Sequence, residues 1–270
     1  MIGFYLLAIG VTAVALWLLP RPRVSGPMGA FAATPAMTLG AVLATVAAAW
    51  RAGDPSAAGW YGFGPAGGGL ARGIGVGGCM VAGTLALSVA AGARWAVSGQ
   101  GAGAYAGTLA VVLTGIALAA LAEELLFRGF PLATLAGAFG TVPAVVGLSV
   151  VFALLHAGNP ETTPLGLVNI LLASVVLSAA FFARGALAGA WGLHASWNGG
   201  LVVADAPVSG VAFNLPGLDF GGGAVWVTGG RFGPEGGMAA TAALVGGLAW
   251  LMRQHRAAAK QAVGPRVAAS

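Results

Sequence analysis

The chain has 270 residues, of which 58% are hydrophobic and only 7% are charged, and its mean hydropathy is +0.90. Soluble globular domains carry about 25% charged residues, so this composition excludes a water-soluble fold and predicts an integral membrane protein. The net charge of +5 comes from basic residues that are scattered or lie at the ends of apolar runs. That distribution is typical of membrane topology, and it argues against a nucleic-acid partner.

Apolar runs of about 20 residues, the length that crosses a bilayer, recur along the chain. They predict an all-α, polytopic membrane bundle of about eight transmembrane helices. The predicted helices cover residues 2–19, 30–50, 73–93, 105–127, 140–157, 165–183, 186–204 and 236–252. The first run has no basic segment before it and no small-residue cleavage site after it, so we expect a retained helix and not a signal peptide.

Segments rich in Pro, Gly or charge separate the predicted helices, and the longest of them covers residues 205–237. A connection of about 30 residues is unusual between helices and is typical of binding loops, lids or disorder. The sequence alone does not choose among these three.

Glu123 and Glu124 lie side by side within the fourth predicted helix, although the whole chain has only seven acidic residues. A charged residue at the centre of a bilayer costs roughly 3 kcal/mol on insertion scales, so the pair needs a chemical reason. Glu124 shares a helical stripe with Arg128, and the two can neutralise each other. Glu123 then faces elsewhere without a local partner, which suits a general base. An ion-pair knot that clamps helices explains the same motif equally well.

Two of the three histidines lie in later predicted helices. His156 is near the end of the fifth, where a structural role is also common. His194 and Asn198 are four residues apart and project from one face of the seventh, where polar side chains must find partners within the bundle. If these residues converge with the Glu pair, Glu123 and His156 can activate water. His194 and Asn198 can then donate to a developing oxyanion.

Three motifs in this chain resemble those of the CAAX protease and bacteriocin-processing (CPBP, or ABI) family of intramembrane endopeptidases. They are Glu123-Glu124-x-x-x-Arg128, Phe152-x-x-x-His156 and His194-x-x-x-Asn198, in the family's order and on separate predicted helices. The wider similarity runs from about Tyr105 to Trp250 and includes Pro207-Val-Ser-Gly210 and Gly229-Gly-Arg-Phe-Gly-Pro-Glu235. Gly199 departs from the pattern, because bacterial members often have an aromatic residue after this Asn.

The resemblance implies a role for each motif residue. Glu123 would be the catalytic glutamate and would act with His156 on the water. His194 and Asn198 would form the oxyanion site. The supporting residues would be Glu124 and Arg128.

The resemblance also implies an endopeptidase that cleaves membrane-associated or C-terminal, CAAX-like protein substrates entering from the lipid bilayer. We expect a multi-pass protein of the bacterial cytoplasmic membrane. Residues 1–104 would be N-terminal membrane helices, residues 105–252 the catalytic core and residues 253–270 a basic tail.

Members of this family have been described both as metalloproteases and as glutamate proteases. Glu123, His156 and His194 could form a three-ligand zinc site with one open position. However, the sequence has no His-Glu-x-x-His motif, and Asn198 beside His194 suits an oxyanion donor better than a zinc ligand. We therefore expect metal-independent hydrolysis that requires no cofactor, with a zinc metalloprotease as the alternative.

Two further functions compete with hydrolysis. Intramembrane carboxylates and histidines also carry ions, so a transporter or proton relay is the main rival. Transporters usually show repeated halves with broken helices, and the sequence shows neither. An inactive scaffold that sequesters a partner helix is disfavoured by the full set of catalytic residue types.

Overall fold

The computed structural model describes residues 1–18, 33–52, 68–97, 102–213, 215 and 218–262. The helices are α1 (Ile2–Leu18), α2 (Thr34–Ala52), α3 (Gly68–Ala90), α4 (Ala102–Phe127), α5 (Phe130–Phe139), α6 (Thr141–Leu155), α7 (Pro164–Ala180), α8 (Ala186–Val203) and α9 (Met238–Ala262). A π-helical turn, Phe181–Gly185, joins α7 to α8. The predicted all-α class is confirmed.

Each of the eight predicted helices corresponds to an observed one, whereas α5 was not predicted. Among the described residues, three helical stretches are long and apolar enough to cross a membrane: Gly68–Ala90, Tyr105–Phe139 and Pro164–Ala183. Two further apolar helices, Ile2–Leu16 and Thr141–Leu155, are shorter. These stretches support an integral membrane protein, while the count of about eight transmembrane helices stays a prediction.

A small antiparallel sheet was also not predicted from the sequence. Strand β1 (Ala93–Val97) follows α3 and pairs with β2 (Leu218–Gly222), with Trp95 opposite Phe220. The indole of Trp95 also donates to the carbonyl of Ala204, at 3.0 Å. The sheet therefore ties the segment that follows α8 back to the end of α3.

The described part of the long segment after α8 is folded and anchored at both ends. At its start, the Asp205 carboxylate accepts a hydrogen bond from the backbone N–H of Leu215 at 3.0 Å. Near its end, the Asn169 amide of α7 donates to the carbonyls of Glu235 and Gly237, at 2.8 and 3.0 Å. Short helical turns lie between these anchors, at Val225–Thr228, Gly230–Phe232 and Pro234–Gly236.

Helices α3 and α8 touch through glycines. A Cβ atom on Gly73 would overlap the carbonyl oxygen of Gly189, and one on Gly77 would overlap that of Leu193. Small residues let membrane helices approach until their backbones are in contact. Because α8 also carries His194 and Asn198, this contact fixes the helix that presents two of the candidate site residues.

Two apolar clusters pack the helices that carry the candidate residues. The larger one joins α3, α4, α7, α8 and α9 and contains Met80, Val112, Leu177, Trp197 and Leu244. The second joins the end of α4 to α5, α6 and α7 and contains Phe127, Leu132, Phe152 and Ile170. The helices that carry the polar motifs are therefore held together by apolar contacts.

We expect Gly77→Ala to lower the free energy of unfolding by about 1–3 kcal/mol, the usual cost of overpacking a tight contact. Gly78→Ala is the matched control, because a Cβ atom on Gly78 meets nothing within 4 Å. Thermal unfolding of the two purified variants in the same detergent measures the difference. Equal melting temperatures would show that the α3–α8 contact is looser than the structure indicates.

Candidate active site

Four of the candidate residues line one cavity of about 420 Å³. Its lining is mostly apolar and includes Ile116, Phe152, Trp197 and Leu244. The polar residues that line it are Glu123, His156, Asn159, His194, Asn198, Ser209, Glu235 and Thr34. The four residues predicted to carry chemistry, on α4, at the end of α6 and on α8, therefore face a common space.

Glu124 and Arg128 lie behind the cavity wall and are completely enclosed, with 0% and 1% of their side chains exposed. Their predicted ion pair is present, with 3.2 Å between Arg128 Nη1 and Glu124 Oε1. The guanidinium also donates to the hydroxyl of Ser174 on α7, at 2.7 Å. Its Cζ lies 4.6 Å from the centroid of the Phe152 ring on α6. Arg128 thus connects α4 to both α6 and α7.

His194 lies between the two glutamates. Its Nδ1 is 2.8 Å from Glu124 Oε1, and its Nε2 is 3.8 Å from Glu123 Oε2. An ionised carboxylate only accepts hydrogen bonds, so Nδ1 carries a proton and donates it to Glu124. The second ring nitrogen then points towards Glu123. From the sequence we expected His156 to be the histidine associated with Glu123, and the contact with His194 was not predicted.

His156 ends α6 and is held by its own helix. Its Nδ1 is 2.8 Å from the carbonyl oxygen of Phe152. A carbonyl cannot donate, so Nδ1 is the protonated nitrogen, and Nε2 takes no part in this contact. The ring also packs against that of Phe152, with 4.6 Å between centroids. The site therefore presents a histidine of fixed orientation.

The charges of this group nearly balance. With both glutamates ionised, the charges of Glu123, Glu124 and Arg128 sum to −1. A second proton on the His194 ring would therefore make the net charge of the four side chains zero. The Glu123 side chain is 29% exposed, whereas that of Glu124 is fully buried. Glu123 is thus the carboxylate that a water molecule or substrate in the cavity can reach.

A second polar cluster at the cavity was not found from the sequence. Glu235 accepts a hydrogen bond from the indole N–H of Trp197 at 2.9 Å, and it also binds the backbone N–H and the hydroxyl of Ser209. The amide of Asn159 donates to the carbonyl of Ser209 at 2.9 Å. One signal was available, since Glu235 is one of only seven acidic residues and lies in a Gly-rich loop.

The zinc alternative, with Glu123, His156 and His194 as ligands, stays a prediction. Across the described ranges, no group of three His, Cys, Asp or Glu side chains is arranged to hold a metal ion. Nδ1 of His194 donates to Glu124, and its Nε2 stands 3.8 Å from Glu123. Metal-bound histidines also donate their second ring N–H to a carboxylate, so metal independence stays a prediction.

Residues 105–200 match the family model described as type II CAAX prenyl endopeptidase Rce1-like. Over this segment the chain is similar to the Rce1-like family. The resemblance to the CPBP family is thereby confirmed. The match runs from α4 to α8 and contains all three motifs. It implies a CAAX-type intramembrane protease. Searches of curated proteins and of solved structures gave no match.

Removing the buried guanidinium should be costly. We expect Arg128→Ala to lower the free energy of unfolding by about 3–5 kcal/mol, because it leaves the buried Glu124 carboxylate without its cation. Arg231→Ala is the control, since Arg231 pairs with Glu161 at 2.8 Å but its side chain is 84% exposed, and exposed pairs contribute little. Thermal unfolding in detergent compares them. An Arg128→Ala protein as stable as the control would show that Arg128 does not hold α4 against α6 and α7.

Proposed function

We propose that this protein is an intramembrane endopeptidase that hydrolyses peptide bonds of membrane-associated or C-terminal, CAAX-like substrates. The observation that carries the proposal is that Glu123, His156, His194 and Asn198 line one cavity, within the segment that matches the Rce1-like family. The mostly apolar lining suits a peptide that arrives from the bilayer, and a cavity of about 420 Å³ is within the usual range for ligand sites.

Glu123 is proposed as the general base. Its carboxylate is the reachable one of the pair, and it would take a proton from a water molecule as the oxygen attacks the scissile carbonyl carbon. His156 lines the same cavity, and its Nε2 would help to hold that water and to share its proton. Return of the proton to the amine nitrogen would then release the new amino terminus.

His194 and Asn198 are proposed to stabilise the tetrahedral oxyanion. They lie one helical turn apart on α8 and line the cavity together. The hydrogen bond from Nδ1 to Glu124 orients the His194 ring, so that a proton on Nε2 can be donated to the oxyanion. Preorganised donors of this kind act most strongly where water is excluded. The Asn198 amide would supply the second donor.

The buried Glu124–Arg128 pair is proposed to support the chemistry without touching the substrate. Arg128 neutralises Glu124, and Glu124 in turn holds His194. Partners behind the contacting residues fix rotamers and so protect catalytic geometry. This arrangement gives the two adjacent glutamates different tasks.

Substitution of the proposed base should remove most of the activity. We expect Glu123→Gln to lower kcat by about 10²–10⁴, the usual contribution of general-base catalysis. We expect His156→Ala to be nearly inactive and Asn198→Ala to lose about 10²–10³ while keeping weak activity, as for loss of one oxyanion donor. A quenched fluorescent farnesylated peptide, assayed with protein in proteoliposomes, measures these rates.

Glu161→Gln is the control for these variants, because Glu161 lies outside this cavity and pairs with the exposed Arg231. Terminal proteomics of membranes from wild-type and Glu123→Gln cells would then identify natural substrates. If Glu123→Gln cleaved the peptide at the rate of Glu161→Gln, the assignment of Glu123 as the base would be wrong.

Chelation tests the chemistry of the water-activating group. We expect cleavage to continue in 1,10-phenanthroline, because the proposed mechanism uses Glu123 and His156 without a metal. The non-chelating isomer 1,7-phenanthroline controls for direct effects on the protein or the micelle. Loss of activity with the chelating isomer alone, reversed by added zinc, would replace this mechanism with the metalloprotease alternative.

A further inference from the structure

The segment after α8 contributes a tight turn to the cavity wall. Val208 and Val211 exchange backbone hydrogen bonds of 3.0 and 2.9 Å, so Ser209 and Gly210 form a two-residue turn. Both central residues have positive φ, +48° at Ser209 and +85° at Gly210. This is the pattern of a type I′ turn, which favours Asn or Gly at its first central position. Ser209 is thus held in a conformation that it does not prefer.

Every hydrogen-bonding group of Ser209 is held in place from outside the turn. Its N–H and hydroxyl both donate to the Glu235 carboxylate, and its carbonyl accepts from the Asn159 amide. Gly210 has no room for a side chain, since a Cβ atom there would overlap the carbonyl oxygen of Pro160. Such a conformation persists only where the surroundings determine it several times over, and such positions cluster at functional sites.

The second oxygen of Glu235 reaches the helix that carries the oxyanion residues. It accepts from the indole of Trp197, which directly precedes Asn198, at 2.9 Å. Glu235 is itself only 8% exposed, and its backbone carbonyl is bound by Asn169 of α7. One buried carboxylate thus connects the turn to α8, and Ser209 and Glu235 both line the cavity.

We propose that Glu235 is a positioning residue, which holds the Ser209–Gly210 turn as a substrate-binding wall of the catalytic cavity. The inference rests on the proposed protease function. A wall contacts the substrate in its ground state and in its transition state alike, so its loss changes KM more than kcat. Glu235 takes no part in the proton transfers proposed for Glu123 and His156.

Glu235→Gln tests this role with almost no change in size. An amide can still accept from Trp197, but its NH₂ group then faces the N–H of Ser209, and two donors cannot bond. We expect KM for the farnesylated peptide to rise about tenfold, as for one buried donor left unpaired. We expect kcat to change far less than in Glu123→Gln. Glu161→Gln is again the control and should match the wild type.

Rescue at the turn separates positioning from chemistry. Glycine adopts positive φ without the penalty that serine incurs, so a turn built with it depends less on Glu235. Ser209→Gly introduced into Glu235→Gln should therefore reverse part of the rise in KM, because it removes the conformational penalty of the serine while the backbone N–H still faces the amide. Ser209→Gly alone completes the double-mutant cycle. Absence of rescue, or a shift of the kcat–pH profile in Glu235→Gln, would overturn the positioning role.

A binding measurement keeps this test independent of cleavage. In the Glu123→Gln background, affinity for the same labelled peptide is measured by fluorescence anisotropy, with and without Glu235→Gln. We expect about tenfold weaker binding in the double variant, following the expected change in KM. Equal affinities, or a Glu235→Gln protein that merely unfolds at lower temperature with KM unchanged, would refute the inference. Failure of the protease proposal would instead appear as an absence of cleavage by every variant and the wild type.

Discussion

The buried carboxylate of Glu124 is the constraint on which the rest of the structure depends. Its Oε1 atom accepts hydrogen bonds from both Arg128 and His194. Arg128 also donates a hydrogen bond to Ser174 on α7. A charge removed from water is tolerated only when it is paired and hydrogen-bonded. Helices α4, α7 and α8 therefore cannot separate without leaving a charge unpaired in apolar surroundings. The fold and the site share this one network.

The glycine contact between α3 and α8 serves the same end by different physics. The hydrogen bond to Glu124 holds the face of α8 that carries His194. Backbone contact at Gly73 and Gly77 holds another face of α8 against α3. A catalytic group must be held within a fraction of an ångström, and sites carried on packed helices meet that need better than loops. Helix α8 is held by both contacts, and this suits it to carry two of the proposed catalytic residues.

Much of this arrangement was predictable from local patterns. Apolar length placed the eight helices, and the four-residue spacing of Glu124 and Arg128 predicted their pair. The choice of His194 over His156 as the partner of both glutamates was not predictable, because it depends on how α8 is rotated against α4. The β1–β2 pair and the Glu235–Ser209 contacts join residues far apart in the chain, without a periodic signal. The catalytic roles themselves stay predictions.

Hydrolysis inside a membrane must bring water and an apolar substrate to one point. The cavity has groups for both: apolar side chains such as Ile116 and Leu244 line it, and so do Asn159 and Ser209, which come from segments beyond the helix ends. Glu123 lines the same cavity, with part of its side chain exposed. A general base there would meet water held by the polar groups and a substrate held by the apolar ones. The folded segment after α8 is therefore as necessary to the proposed reaction as the three motifs.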